Sequence, residues 1–271
     1  MSADDGPGSA RYDHPPDPVD SRHRTATLTG PFFFPRGIPN PMSFSPDAVV
    51  IQPPTPTDAS VIWLHGLGAD GHDFEPIVPQ LGAAITERTR FVFPHAPMRP
   101  VTVNGGYVMR AWYDVLDADI ARRADAEGVQ ESEKILHGYI DAEIASGVPS
   151  ERIIVAGFSQ GGAIALHGSL RYPQRLAGVL GISCYLPLPS EIAEGLAPAN
   201  ATTPIFMAHG TEDPVIPVEA GKQSRDRLKK LDYGVEWHTY PIPHSMCLEE
   251  IEDIGRWLLR LLGSTDRPSE F

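Results

Sequence analysis

Residues 152–166 decide the fold of this chain: Arg-Ile-Ile-Val-Ala-Gly-Phe-Ser-Gln-Gly-Gly-Ala-Ile-Ala-Leu. An apolar run typical of a buried strand leads into Gly157-Phe-Ser159-Gln-Gly161, and a helical pattern starts directly afterwards. This is G-x-S-x-G between a strand and a helix, a context that lifts the serine hydroxyl above a sheet on a tight turn. The flanking elements and the additional Gly162 make it more specific than the alternative, a glycine-rich turn with a capping serine.

Short apolar runs alternate with longer amphipathic ones from residue 59 onward. Strands are predicted at 61–64, 91–93, 153–158, 177–182, 205–208 and 235–240. Helices are predicted at 74–87, 120–146, 160–171, 218–231 and 248–262. This alternation predicts an α/β fold with a mostly parallel central sheet and helices on both faces.

Composition narrows the class of protein. A chain of 271 residues with 41% hydrophobic and 21% charged residues is typical of a globular domain. Its net charge of -13 argues against nucleic acid as a partner, since phosphate backbones are repelled. No apolar run approaches the roughly 20 residues that span a bilayer. The two cysteines, Cys184 and Cys247, make neither a disulfide framework nor a zinc set, and we expect free thiols in a reducing cytoplasm.

Residues 1–56 differ from the rest, which is expected to form a catalytic domain over residues 57–271. Twelve of the 28 prolines lie in this extension, between Pro7 and Pro56, and it lacks the features of a secretory signal. Its proline-rich start is expected to be extended. The three aromatic residues at 32–34 are expected to pack on the domain surface or on a neighbouring subunit, which would make a homodimer.

A serine nucleophile needs a base to take its proton, and two loops after late strands supply candidates. His244 lies on a proline-braced loop after the strand at 235–240. Asp213 follows the strand at 205–208, where functional groups collect in parallel sheets. Glu212 is the competing acid, and Asp213 is preferred because it is shorter and directly precedes a proline. A pair of Cys247 with His244 is the alternative nucleophile arrangement.

Two backbone N–H groups are required for the oxyanion of a tetrahedral intermediate. One is expected from Gln160, the residue directly after the nucleophile. The other is expected from Leu67, in the glycine-rich loop that follows the first predicted strand. His65 and His72 near this loop suggest a metal site as an alternative, but their spacing does not match a zinc helix. We therefore expect no metal and no cofactor.

Several motifs together resemble those of the phospholipase/carboxylesterase family of α/β-hydrolases, which includes bacterial carboxylesterases and acyl-protein thioesterases. They are His65-Gly-Leu-Gly-Ala-Asp-Gly, the segment at 94–106, Met109-Arg-Ala-Trp-Tyr-Asp, Gly157-Phe-Ser-Gln-Gly-Gly-Ala, His209-Gly-Thr-Glu-Asp-Pro-Val and His244. The resemblance covers about three quarters of the chain. It implies the α/β-hydrolase fold, a triad of Ser159, Asp213 and His244, and oxyanion donors at Leu67 and Gln160. It also suggests that Met109 and Trp112 border the acyl site.

Two further acyl-pocket residues, Leu186 and Val215, are suggested because they follow strands on the catalytic side of the sheet. For Trp112 a plain core aromatic is the alternative interpretation. The resemblance implies a carboxylesterase that hydrolyses short- to medium-chain esters of small molecules through an acyl-enzyme. A thioesterase acting on acylated proteins or coenzyme A esters is the alternative, and a non-catalytic receptor on the same fold is a remote one.

Overall fold

A central sheet organises the chain in the computed structural model, which describes residues 47–117 and 125–263. Within that part of the chain, seven strands pair in the order β1-β3-β2-β6-β7-β8-β9, and β4 and β5 form a separate hairpin. The strands are β1 (Ala48–Ile51), β2 (Ala59–Leu64), β3 (Thr89–Pro94), β4 (Met98–Val101), β5 (Tyr107–Arg110), β6 (Ile153–Phe158), β7 (Gly178–Ile182), β8 (Ile205–Gly210) and β9 (Val235–Tyr240). All pairs in the central sheet are parallel except β1 with β3.

Helices cover both faces of this sheet. The α-helices are α1 (Ala83–Thr86), α2 (Ala126–Ala145), α3 (Gln160–Ser169), α4 (Val218–Lys230) and α5 (Leu248–Leu262). Short 3-10 helices lie at Glu75–Leu81, Thr102–Asn104, Ser150–Arg152, Ile192–Glu194 and Pro198–Asn200. This α/β arrangement confirms the predicted mostly parallel sheet between two helical layers.

Two apolar cores hold the layers together, because successive side chains of a strand point to opposite faces. In β2, Ile62 and Leu64 join the core beneath α2, α3 and α4. Val61 and Trp63 join the other core, beneath α1 and α5. Every residue of β2 is buried, as expected for a strand covered on both faces.

The predicted helix at 74–87 was wrong in one respect. The segment is a 3-10 helix followed by the single-turn helix α1, and the two are separated at Gly82. Gly82 has φ of 95°, which a continuous helix cannot contain, and Pro79 lies inside the 3-10 helix. The predicted helix at 120–146 begins later, at Ala126, and residues 118–124 lie outside the described part.

Three strands were not predicted: β1 at the sheet edge and both strands of the β4–β5 hairpin. Strand β1 lies within residues 1–56, and it pairs antiparallel with β3. The aromatic residues at 32–34 lie outside the described residues, and the division of the chain at residue 57 stays a prediction. Within the described ranges, no helix is long and apolar enough to cross a membrane.

Candidate active site

Ser159 occupies the turn between β6 and α3. Its φ of 55° and ψ of -121° lie in a region that side chains rarely adopt. The turn is tight enough that a Cβ atom on Gly157 would lie 2.4 Å from the carbonyl carbon of Gly161. A Cβ on Gly161 would lie 2.3 Å from the Leu64 oxygen, at the end of β2. The flanking glycines therefore allow the strained turn that raises the serine hydroxyl above the sheet.

His244 reaches the serine from a loop 85 residues further along the chain. Its Nε2 lies 3.0 Å from Ser159 Oγ, and its Nδ1 lies 2.6 Å from Asp213 Oδ2. The carboxylate accepts, so Nδ1 carries the proton and the lone pair of Nε2 faces the serine hydroxyl. The imidazole ring also packs on Phe158, with ring centroids 4.7 Å apart. The structure thus brings together all three side chains predicted as the triad.

The Asp213 carboxylate is fixed from both sides. Its Oδ1 accepts hydrogen bonds from the backbone N–H groups of Val215 at 2.8 Å and Ile216 at 2.9 Å. Its Oδ2 accepts from His244, and the side chain is fully buried. The neighbouring acid, Glu212, is exposed. Because His244 Nε2 faces Ser159 rather than a thiol, the alternative pair with Cys247 has no support.

A buried hydrogen-bond network supports the loop that carries Leu67. The Gln160 side chain accepts from the Trp112 backbone N–H at 2.8 Å and donates to the Tyr113 carbonyl at 2.7 Å. The Trp112 indole N–H donates to the His65 carbonyl at 2.8 Å. The loop preceding Leu67 is therefore linked to the start of α3. The sequence predicted a role only for the backbone N–H of Gln160, and no sequence signal indicates the bonds of its side chain, because they depend on its burial beside Trp112.

His65 is a buried structural residue of the same network. Its Nε2 accepts the Ala96 backbone N–H at 3.0 Å, and its Nδ1 donates to the Gly66 carbonyl at 2.7 Å. Burial lowers the pKa of His65 to about 4, so the ring stays neutral and can accept that bond. Among the described residues no group of three His, Cys, Asp or Glu side chains could hold a metal ion.

The four residues suggested for the acyl pocket lie in different environments. Met109, in β5, is half-buried. The next residue of β5, Arg110, accepts a hydrogen bond from the Gly68 N–H at 2.9 Å, which links the hairpin to the loop that carries Leu67. Trp112 and Leu186 are buried, whereas Val215 is 55% exposed. Trp112 is fully buried, and its indole N–H supports the loop that carries Leu67 through the bond to the His65 carbonyl. The roles of all four in substrate binding stay predictions.

A serine on a strand-to-helix turn, an imidazole from a late loop and a buried carboxylate, all at the carboxyl edge of a parallel sheet, define the class of α/β-hydrolases. The sequence model of the phospholipase/carboxylesterase family matches residues 45–261. The chain therefore belongs to the phospholipase/carboxylesterase family, and it is a carboxylic ester hydrolase.

Three relatives illustrate this membership. Acyl-protein thioesterase 1 of Neurospora crassa is 41% identical over 222 residues, which cover 78% of this chain and 90% of that protein. A probable carboxylesterase of Oryza sativa subsp. japonica is 38% identical over 201 residues, covering 73% of this chain and 76% of the relative. The crystal structure of SOBER1 from Arabidopsis thaliana superposes with a TM-score of 0.73 at 36% identity, covering 77% of this chain and all of that one.

Proposed function

We propose that the protein is a serine esterase that hydrolyses short- to medium-chain carboxylic esters of small molecules through an acyl-enzyme on Ser159. The observation that carries this proposal is the geometry of His244, with Nε2 3.0 Å from Ser159 Oγ and Nδ1 2.6 Å from Asp213 Oδ2. That arrangement supports a neutral imidazole acting as general base.

The proposed reaction has two half-reactions. His244 takes the proton of Ser159 as the hydroxyl oxygen attacks the substrate carbonyl, and Asp213 stabilises the imidazolium that forms. The backbone N–H groups of Leu67 and Gln160 bind the oxyanion of the tetrahedral intermediate. His244 then gives its proton to the leaving alcohol. Water, deprotonated by the same imidazole, attacks the acyl-enzyme, and the imidazolium returns this proton to the Ser159 oxygen as the acid is released.

The experiment that tests this proposal is replacement of Ser159 by Ala. We expect kcat for p-nitrophenyl butyrate to fall on the order of 10⁴-fold or more. Wild-type protein should also react covalently with a fluorophosphonate at Ser159, which a non-catalytic receptor would not do. Retention of most of the hydrolysis by the alanine variant would refute the proposal.

A thioesterase acting on acylated proteins or coenzyme A esters is the second candidate function. It is supported by the 41% identity to a protein named acyl-protein thioesterase 1. Both reactions use the same acyl-enzyme and differ only in the leaving group. Comparing kcat/KM for oxygen esters and thioesters of the same acyl chain, over several chain lengths, separates the two.

Two further proposals concern the setting of the enzyme. The free thiols of Cys184 and Cys247 support a reducing cytoplasm as its location. The homodimer rests on the aromatic residues at 32–34 alone. Light scattering on the full chain, compared with a chain whose three phenylalanines are replaced by Ser, tests it through the mass of the particle in solution.

A further inference from the structure

His209, the fifth residue of β8, is a buried histidine that the proposed mechanism does not use. Its Nε2 lies 2.8 Å from the Ile216 carbonyl oxygen. A carbonyl only accepts, so Nε2 carries the proton and Nδ1 does not. The same nitrogen lies 3.5 Å from Asp213 Oδ2, and both side chains are buried.

The backbone of Ile216 connects this histidine to the triad. Its carbonyl accepts from His209, and its N–H donates to Asp213 Oδ1 at 2.9 Å. The His209 side chain therefore links the far end of the Asp213 loop back to β8. Released from His209, the Ile216 N–H would lose the support that keeps it directed at the carboxylate.

The other ring nitrogen of His209 is unfavourable for stability. Nδ1 is buried and has no hydrogen-bond partner among the described residues. Helix α4 packs directly on it, since a Cβ atom on Gly221 would lie 2.5 Å from Nδ1. An unsatisfied buried acceptor lowers stability, so Nδ1 is unfavourable in this place. What the ring contributes is the hydrogen bond from Nε2–H to the Ile216 carbonyl, which an apolar ring would leave without that donor.

We propose that His209 is a positioning residue: its Nε2–H holds the backbone of Ile216 at the carbonyl, and thereby the Ile216 N–H that bonds the Asp213 carboxylate, which in turn orients His244. The ring does this in its neutral form, because burial lowers the pKa of His209 against the opposing influence of the Ile216 carbonyl and Asp213. His244 is the other titratable group that acts on it. This inference rests on the proposed function, because it assigns His209 to the same triad.

The experiment compares His209→Phe with His209→Gln. Phenylalanine keeps a ring but has no donor, whereas the glutamine amide carries an N–H group at about the reach of Nε2. We expect kcat for p-nitrophenyl butyrate to fall about 10- to 100-fold in the Phe variant, with KM unchanged, and to recover to within about 3-fold of wild type in the Gln variant. The acid side of the kcat–pH curve should move to lower pH in the Phe variant, because a displaced carboxylate stabilises the His244 imidazolium less.

His167→Phe is the matched control, since His167 is also buried and its Nε2 bonds Glu133 at 2.9 Å on the α2–α3 side. It should lose stability without any change in the kcat–pH curve. The proposal is overturned if His209→Phe keeps kcat within 2-fold of wild type and its kcat–pH curve does not shift. It is also overturned if the Phe and Gln variants lose activity equally. Should the Phe variant fail to fold, His209→Leu, which also lacks a donor, takes its place with the same expected outcomes. Ser159→Ala separates the two ideas, because an inactive Ser159→Ala with a fully active His209→Phe refutes the positioning role alone.

Discussion

Replacing Asp213 by Asn tests whether the carboxylate orients the base, because the structure fixes how the new amide must point. Oδ1 accepts two backbone N–H groups, from Val215 and Ile216. Only the carbonyl oxygen of Asn can take that place. The amide NH₂ group must then face His244 Nδ1, which becomes an acceptor, so the ring proton moves to Nε2. That proton lies on the atom 3.0 Å from Ser159 Oγ, where a lone pair is needed.

The size of the effect follows from two losses. Returning the ring to its active tautomer makes two donors face each other in a buried site, which costs about 1–3 kcal/mol. The charge-assisted bond that stabilises the imidazolium of His244 is also lost, at about 1.5–3 kcal/mol. Together these raise the barrier by roughly 2.5–6 kcal/mol, which corresponds to a fall in kcat of about 10²- to 10⁴-fold. The Asn variant should fold normally, since the bonds to Oδ1 remain.

The assay is hydrolysis of p-nitrophenyl butyrate, with Tm measured on the same samples. Glu212→Gln is the matched control, because that exposed acid is the adjacent residue and bonds no part of the triad. We expect it to keep wild-type activity. A fall of less than 10-fold in the Asn variant, or an equal fall in the Glu212 variant, would refute the assignment of Asp213 as the orienting acid.

Two other predictions concern packing and charge. Gly161→Ala should abolish activity or folding, because its Cβ would lie 2.3 Å from the Leu64 carbonyl oxygen. Gly66→Ala should fold, because its Cβ would meet its nearest neighbour only at 3.4 Å. Measurements of kcat and Tm on both variants check this. Burial raises the pKa of Glu250 from its ordinary value of 4.5 to about 8. The contribution of this carboxyl to the free energy of unfolding is therefore fully present below pH 4.5, and it is lost as the pH rises towards 8. Glu250→Gln should remove that loss, on the order of a few kcal/mol, in urea unfolding at pH 5 and pH 8. Equal pH dependence in wild type and variant would contradict this.

The three strands that were not predicted are the shortest in the described part of the chain, with four residues each, and they bury few side chains. Half of the residues of β4 and β5 are exposed, and neither strand has an apolar run longer than three residues, which is too short for a clear strand pattern. Strand β1 is half-buried at the sheet edge and pairs antiparallel. Strands β6 and β8, buried along their length, were predicted to within about two residues. Local patterns thus located six of the seven strands of the central sheet, including β9 at one edge, but not β1 at the other edge or the hairpin.

By itself the sequence determined the turn at Ser159 and placed Asp213 and His244 on loops that follow strands, because each position depends on a local pattern of strand, glycine and proline. Only the tertiary structure decided which atoms meet. It placed Nε2 of His244 3.0 Å from a hydroxyl 85 residues away, left Glu212 exposed, and gave Gln160 and Trp112 a supporting role in a buried network. These contacts join residues far apart in the chain, and no local spacing encodes a distance that depends on how all the strands of the sheet are arranged.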